Sequence, residues 1–250
     1  MKNFIIQSKY KNFLIILFWI IIWEIFALII NQEIYLPSPI STFQSLYKLL
    51  FSQDTYITIL YSTYRTLFGF FISCILGIIF GYFCGINKYL FDLFNPLVSV
   101  IRTIPVMSII IIAIIWFKDT NVPIFVAFLM CFPIIWTNTI YGIKETDIKL
   151  LQMCKVYNIS KIHIVKSVYF YSALPYIKSG MLSALGISWK VTSAAEVLSL
   201  PKYSIGSHLY DSKVYLEIPD LFAWTLIILF LSILFEKTLK LLFKMGDSND

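Results

Sequence analysis

The sequence predicts an all-α protein of the polytopic membrane class, folded as a bundle of about six transmembrane helices. Of its 250 residues, 59% are hydrophobic and only 14% are charged. Soluble domains carry about 25% charged residues because their surface faces water. The mean hydropathy of the chain is +0.80. Much of the protein surface is therefore expected to face lipid.

Six apolar segments are long enough to cross a bilayer as helices. Short stretches rich in Pro, Asn and Asp, which interrupt helices, separate them. We expect one membrane domain over residues 1–250, with its core at about 57–242 and an additional, retained N-terminal span, since no small-residue cleavage site follows the first apolar stretch. The predicted spans are 13–31, 57–86, 96–117, 122–142, 172–198 and 218–242.

Basic residues predict the orientation of the chain. If the N-terminus is cytoplasmic, twelve lysines fall in the inner segments, five of them between the fourth and fifth spans. The outer gaps then hold four, namely Lys48, Lys118, Lys202 and Lys213. This bias follows the positive-inside rule and places both termini in the cytoplasm of a multi-pass protein of the cell membrane.

Two further patterns predict helix packing. Residues 40–54 carry apolar side chains at helical spacing, which indicates an amphipathic helix on the outer surface. The second span has glycines at multiples of four positions, and small residues on one helix face allow close approach of a neighbour. This packing stripe consists of Gly69, Gly77, Gly81 and Gly85.

The segment 143–171 is too long for a simple turn and predicts two short amphipathic helices on the cytoplasmic face. Asp147 suits the start of the first helix, Asn158 suits a break, and Ser160 can cap the second helix. The residues alone leave two interpretations open. Anionic lipid headgroups would attract the lysines of the loop, or a protein partner would dock on its helices.

The loop and its flanking segments resemble a known family, and this resemblance favours docking of a protein partner. Positions 152–154, 158 and 168–171 keep the spacing of the Glu-Ala-Ala motif loop in permease subunits of binding-protein-dependent ABC importers, although most identities differ. The order of the remaining motifs resembles the nitrate/sulfonate/taurine class over about residues 35–240. The matching segments are Leu36-Pro37-Ser38-Pro39, Arg65 with Gly69, Arg102 with Pro105, Trp116-Phe117, Leu174 to Trp189, and Ala195-Glu196.

The resemblance implies that the first loop helix docks in a groove of a cytoplasmic ATPase and couples ATP hydrolysis to transport. Gln152 replaces the usual acid of the motif, so the partner ATPase is expected to be shaped for this loop. The implied coupling residues are Asp147, Leu150, Leu151, Gln152, Met153, Cys154, Tyr157 and Asn158. The implied partners are two ATPase subunits, a second permease subunit forming a homodimer, an extracytoplasmic solute-binding protein and membrane lipid.

Ionisable residues within predicted spans usually face the bundle interior or a water-filled path. By resemblance, the region around Trp189 lies beside the translocation path. The expected path residues are Arg102, Trp189, Lys190, Ser193 and Glu196. The alternative is that such a residue is a buried polar group tying the fifth span to a neighbouring helix.

A lysine on the path suits an anionic substrate. The resembled class moves small anions such as nitrate and alkylsulfonates, and it has members for thiamine precursors, so small organic solutes stay open.

Other function classes fit less well. An ion-coupled secondary transporter is the main alternative, but it would predict inverted repeats and broken helices around a midplane site. A membrane-embedded enzyme using Glu24 or Glu196 would need a second catalytic group at suitable spacing. The chain has no phosphate-binding motif, and its cysteines and histidines lack metal-ligand spacing. We therefore expect a transport subunit without catalytic residues, cofactor, metal or nucleic-acid partner.

Overall fold

The protein is helical throughout the residues that its structure, a computed structural model, describes: the backbone of residues 2–247 and the side chains of residues 14–244. Within these residues there is no β-strand, and the predicted all-α membrane class is confirmed. The basic residues counted at the N-terminus lie outside the described side chains. The helices are α1 (Lys2–Ile30), α2 (Pro39–Leu50), α3 (Gln53–Ile86), α4 (Lys88–Thr103), α5 (Val106–Trp116), α6 (Val122–Lys144), α7 (Ile148–Val156), α8 (Lys161–His163), α9 (Phe170–Ser199), α10 (Ile205–Val214) and α11 (Ile218–Asp247), with a π-helical turn at Ile164–Tyr169.

Each predicted span contains a helix. By length and apolar composition α3, α6 and α11 can cross a membrane, and α4 with α5 forms a fourth candidate as a bent pair. The described part of α1 is a shorter apolar helix, Leu14–Ile30. Helix α9 has 30 residues, about 45 Å at 1.5 Å per residue. It carries more polar residues than the other long helices.

The third predicted span, 96–117, does not form one straight helix. Helix α4 already begins at Lys88, with Pro96 inside it, and α4 and α5 meet at an angle of 101°. The break falls at Pro105, which cannot donate a backbone hydrogen bond. Proline also pushes the preceding residue away from helical geometry, and Ile104 is extended, with ψ of 130°.

The loop at 143–171 begins as the sequence predicts. The Asp147 carboxylate accepts the N–H of Lys149 at 2.8 Å and caps α7. Asn158 adopts a left-handed backbone with φ of 50°, and Ser160 accepts the N–H of His163. The second predicted helix is not separate, however. It continues from α8 through the π-helical turn into α9, because no Gly or Pro interrupts the chain there.

The centre of the bundle is the packing of α6 between α3 and α9. The predicted glycine stripe is confirmed as the α3–α6 contact surface. A Cβ on Gly69 would lie 2.6 Å from the Ile124 carbonyl oxygen, and one on Gly81 would lie 2.8 Å from the Trp136 carbonyl oxygen. Only glycine allows this approach.

Helix α2 confirms the predicted amphipathic helix near residues 40–54 and packs against α11. Helix α10 was not expected. It follows a turn in which Leu200 and Tyr203 have positive φ angles of 47° and 52°, and Ser204 caps its first turn by accepting the N–H of Ser207. The turn folds α10 back onto α9, next to the buried groups described below.

Candidate translocation face and coupling surface

Two long helices present different surfaces at membrane level. The exposed side chains of α3 include Phe68, Phe71, Ile75 and Ile79, which suit contact with lipid tails. Helix α9 instead exposes Ser179, Ser183 and Lys190 along its length, and Gly186 between them faces open space. We call this the polar face of α9. Polar groups at this depth usually face water or another protein subunit.

A groove of about 390 Å³, the membrane groove, lies beside the polar face. Helix α6 contributes Thr137 and Asn138, α9 contributes Ile187 and Val191, and the bend between α4 and α5 contributes Arg102. Arg102 is in the last turn of α4, directly before the break of the third span, and lies beside α6.

The Arg102 side chain is exposed in the groove, and one of its guanidinium nitrogens is fixed by a hydrogen bond. Its Nη2 donates to the Pro133 carbonyl oxygen at 3.2 Å. The Thr137 hydroxyl donates to the same oxygen at 2.6 Å. The remaining guanidinium N–H groups can bind an acceptor in the groove, because arginine carries five donors.

Of the expected path residues on α9, Lys190 lies beside this groove, whereas Ser193 lies one turn after Trp189 and faces away from it. Lys190 is exposed on the turn between Ile187 and Val191, the two α9 residues of the groove. Ser193 is half-buried, and its hydroxyl donates to the Trp189 carbonyl oxygen at 2.8 Å. Lys190 is therefore next to the α9 wall of the groove that Arg102 lines from α4.

Trp189 lies on the opposite side of α9. It follows Ile187 by two residues, about 200° around a helix, and its side chain is buried against Ile205 and Trp224. Its ring centroid is 5.7 Å from that of Phe235. In this structure Trp189 packs the protomer core and does not reach the groove.

Glu196 is fully buried and bound on three sides. Its Oε1 lies 3.0 Å from Nη1 of Arg65. The Ser62 hydroxyl donates to both carboxylate oxygens at 2.8 and 2.9 Å, and the Gly206 N–H donates to Oε2 at 3.1 Å. This geometry fits the alternative reading, a buried polar group that ties α9 to its neighbours.

Arg65 was not among the path residues expected from the sequence. It also donates to the carbonyl oxygens of Tyr203 at 3.1 Å and Lys202 at 3.0 Å, which closes the turn before α10. A signal was available, because an arginine inside an apolar span requires a partner. The partner itself could not be read from the sequence, since Glu196 is 131 residues away.

Helix α7 has an exposed apolar side, which we call the outer face of α7. It comprises Leu150, Met153 and Tyr157, which are 46%, 57% and 70% exposed. Cys154, expected with them, points inward and is only 6% exposed. A cluster of large apolar side chains in contact with water indicates a protein-binding surface.

The other expected coupling residues have separate positions. Leu151 is half-buried, and Gln152 is exposed on the side away from Tyr157. Asp147 and Asn158 shape the two ends of α7 through its cap and its left-handed turn. They determine where the helix begins and ends, and they do not belong to its outer face.

Comparison with known proteins gives a consistent result. The chain is similar to the bicarbonate transport system permease protein CmpB of Synechococcus elongatus, with 29% identity over 79% of this chain and 74% of that protein. It is 27% identical to the nitrate import permease protein NrtB of Synechocystis over 77% of this chain and 73% of that protein. It is 26% identical to the putative aliphatic sulfonates transport permease protein SsuC of Bacillus subtilis over 83% and 76%.

The family model of binding-protein-dependent transport system inner membrane components matches residues 75–244, from the middle of α3 to the end of the described side chains. This range holds the bent helix pair, α7 and the polar face of α9. The comparisons support a permease and not the ion-coupled secondary transporter considered from the sequence. The resemblance predicted from the sequence is confirmed: the chain belongs to this family and is a membrane-spanning permease subunit of an ABC importer.

Proposed function

We propose that this permease conducts a small inorganic or organic anion through a path at the membrane groove. The observation that carries the proposal is that Arg102 lines the membrane groove and that Lys190 is exposed on α9 between Ile187 and Val191, which also line it. Charged side chains are costly in lipid and are retained there when they face a water-filled path. Two cations on one path favour anions over neutral or cationic solutes.

The relatives support the same substrate class. Bicarbonate, nitrate and aliphatic sulfonates, which their names give as cargo, are all anions. Thr137 and Asn138, which line the groove, would add hydrogen-bonding groups along the path. Trp189 and Glu196 would fix the position of α9 through buried contacts on the side of the helix that faces away from the groove. A thiamine-precursor-like substrate is less compatible with two cations on the path.

We also propose that two copies of the chain enclose the path. The membrane groove is open on one side, and among the described residues no helix of the same chain covers the polar face of α9 beside it. About six spans are too few to surround a path alone. A second copy facing the polar face of α9 would complete it, and a solute-binding protein would deliver the substrate on the extracytoplasmic side.

The outer face of α7 is the proposed docking site for the ATPase, one subunit for each permease. ATP would be hydrolysed by that subunit, and α7 would pass the movement to α9 through the π-helical turn. This places the loop and both chain termini in the cytoplasm, in agreement with the basic residues of the loop.

The substrate proposal is tested by reconstituting the permease with its ATPase and solute-binding protein in proteoliposomes. ATP-driven uptake of labelled bicarbonate, nitrate and an alkylsulfonate is compared with uptake of a thiamine precursor and a neutral sugar. We expect uptake of an anion alone. Uptake of only the neutral or cationic solute would refute the proposal.

The docking proposal is tested with Met153→Asp, which adds a charge to the centre of the outer face. We expect the ATPase subunit to be lost on copurification while the permease keeps its thermal stability. Val214→Asp is the matched control, because Val214 is 55% exposed in α10, far from α7 in the chain. If Met153→Asp and Val214→Asp retain the ATPase equally, α7 is not the docking element.

A further inference from the structure

A second groove lies on the side of α7 that faces the bundle. It measures about 470 Å³ and is bounded by α7, by the end of α3 and by the π-helical turn. We call it the interfacial groove. Its walls include Ile86, Leu151, Val165 and Tyr169. It is distinct from the membrane groove and from the outer face of α7, and two of the expected coupling residues, Leu151 and Gln152, line it.

The interfacial groove and the outer face use opposite sides of one helix. Leu151 and Lys155 line the groove, and Met153, at the centre of the outer face, is two residues from each. Two residues correspond to about 200° around an α-helix. An ATPase bound to the outer face would therefore leave the groove available to a different ligand.

The charged side chains that line the groove indicate which kind of ligand it can bind. Lys155 and Lys161 both line it, one from α7 and one from the start of α8. No acidic residue is among its lining residues within the described part of the chain. The nearby Asp147 carboxylate is engaged as the cap of α7. The groove thus offers two cations without a matching anion of its own.

The apolar walls add a second requirement. Ile86 is the last residue of α3, and Tyr169 ends the π-helical turn that leads into α9. The groove therefore opens where two membrane helices end, which is the level of lipid headgroups. A ligand that fills it needs an anionic group for the lysines and an apolar tail for Ile86, Val165 and Tyr169.

We propose that the interfacial groove binds an anionic phospholipid, with its phosphate between Lys155 and Lys161 and its acyl chain against Ile86 and Val165. This inference rests on the proposed function only in placing the loop on the cytoplasmic side and the ATPase on the outer face. The lipid would fill the space between α7 and the π-helical turn. The Tyr82 hydroxyl donates to the Val165 carbonyl oxygen at the same place, so the groove wall is itself fixed to α3.

The test uses the full-length permease purified with its ATPase subunit in micelles that contain equal amounts of phosphatidylglycerol and phosphatidylcholine. Native mass spectrometry counts the lipids that remain bound. We expect preferential retention of phosphatidylglycerol. The double variant Lys155→Gln/Lys161→Gln should reduce this preference about tenfold, because each lysine near a membrane surface contributes attraction to anionic lipid.

Lys149→Gln is the matched control. Lys149 is an exposed lysine of α7 that does not line the groove, so its variant should retain phosphatidylglycerol like the wild type. Soluble glycerol phosphate, added in excess, should not displace the lipid if the acyl chain contributes to binding.

Four outcomes would overturn the proposal. They are equal retention of both lipids by the wild type, an equal effect of Lys149→Gln, displacement by glycerol phosphate alone, and loss of the ATPase subunit from the double variant. The last would assign the groove to the ATPase interface. Failure of anion uptake with an intact lipid preference would instead refute the proposed function and leave the lipid site standing.

Discussion

Arg65 and Glu196 form a buried ion pair that joins α3 to α9, with Nη1 and Oε1 3.0 Å apart and both side chains at most 2% exposed. Ser62 and the Gly206 N–H complete the bonding of the carboxylate. The pair therefore connects three helices at the end of α9. Lys190, which we propose as a path residue, lies six residues before Glu196 on α9, so its position depends on this anchor.

Removing one partner of this pair should be strongly destabilising. Glu196→Ala would leave the Arg65 guanidinium buried without its counter-charge, which costs about 3–5 kcal/mol in comparable buried pairs. We expect a large decrease in the thermal unfolding temperature of the detergent-purified protein. The double variant Arg65→Met/Glu196→Met should recover much of this loss, because it removes both charges.

The matched control for the ion pair is Glu236→Ala. Glu236 pairs with Lys240 one turn later on α11, but their side chains are 39% and 56% exposed. Exposed pairs contribute about 0–1 kcal/mol. An equal change in unfolding temperature for Glu196→Ala and Glu236→Ala would show that the Arg65–Glu196 pair does not anchor α9.

The glycine stripe gives a prediction with an internal control. Gly69→Ala would place a Cβ 2.6 Å from the Ile124 carbonyl oxygen and 2.8 Å from the Ala127 Cβ. Backbone has to move to relieve such contacts, and overpacking typically costs 1–3 kcal/mol. We expect a lower unfolding temperature and a smaller yield of folded protein.

Gly186→Ala is the same substitution in open space, since nothing lies within 4 Å of the position of its Cβ. It should leave stability unchanged or raise it, because alanine favours helix over glycine by up to about 1 kcal/mol. Equal destabilisation by both substitutions would contradict the close α3–α6 packing.

His208 predicts a pH dependence of stability. It lies on α10, outside the membrane-spanning helices, stacked on Trp224 with ring centroids 4.7 Å apart and 3.3 Å from the Thr58 hydroxyl. Burial lowers the pKa of His208 below its usual 6.5, and the carboxylates of Asp211 and Asp54 oppose this shift only in part.

The unfolded chain therefore binds a proton at His208 at a higher pH than the folded protein. The contribution of neutral His208 to stability is complete above about pH 6.5 and is lost as the pH falls below that value. Unfolding temperatures measured from pH 8 to pH 5 should decrease in this range. His208→Gln should flatten the decrease, whereas His163→Gln, at the exposed second histidine, should not. Identical profiles for both variants would exclude His208 as the cause.

The parts of the fold that depend on local sequence were predictable. The two ends of α7, at Asp147 and Asn158, were predicted because capping and left-handed turns involve only neighbouring residues. The angle of the bend at Pro105 could not be predicted in this way, since it depends on how α4 and α5 pack on α6.

Contacts between distant residues could not be predicted in the same way. The partner of Glu196, the inward direction of Cys154 and the fold-back of α10 depend on which helices are neighbours. Periodicity shows that a residue lies on a buried face but not which helix covers that face. Lys190 and Arg102 were visible as individual residues, and only the bundle shows that Arg102 lines a groove with the α9 residues on either side of Lys190.

Lys190 provides the most direct test of the translocation face. Lys190→Glu replaces a cation beside the membrane groove by an anion, which would repel an anionic substrate. We expect ATP-driven uptake of the anion to fall at least tenfold, while the ATPase subunit still copurifies. Lys190→Arg keeps the charge and should retain a substantial part of the uptake.

Lys213→Glu is the control for charge reversal as such. Lys213 is an exposed lysine in the last turn of α10, away from the membrane groove. Its reversal should leave uptake close to that of the wild type. Unchanged transport in Lys190→Glu would remove Lys190 from the path. Loss of the ATPase subunit in the same variant would indicate misfolding, and Lys190→Arg would then show whether the charge itself is required.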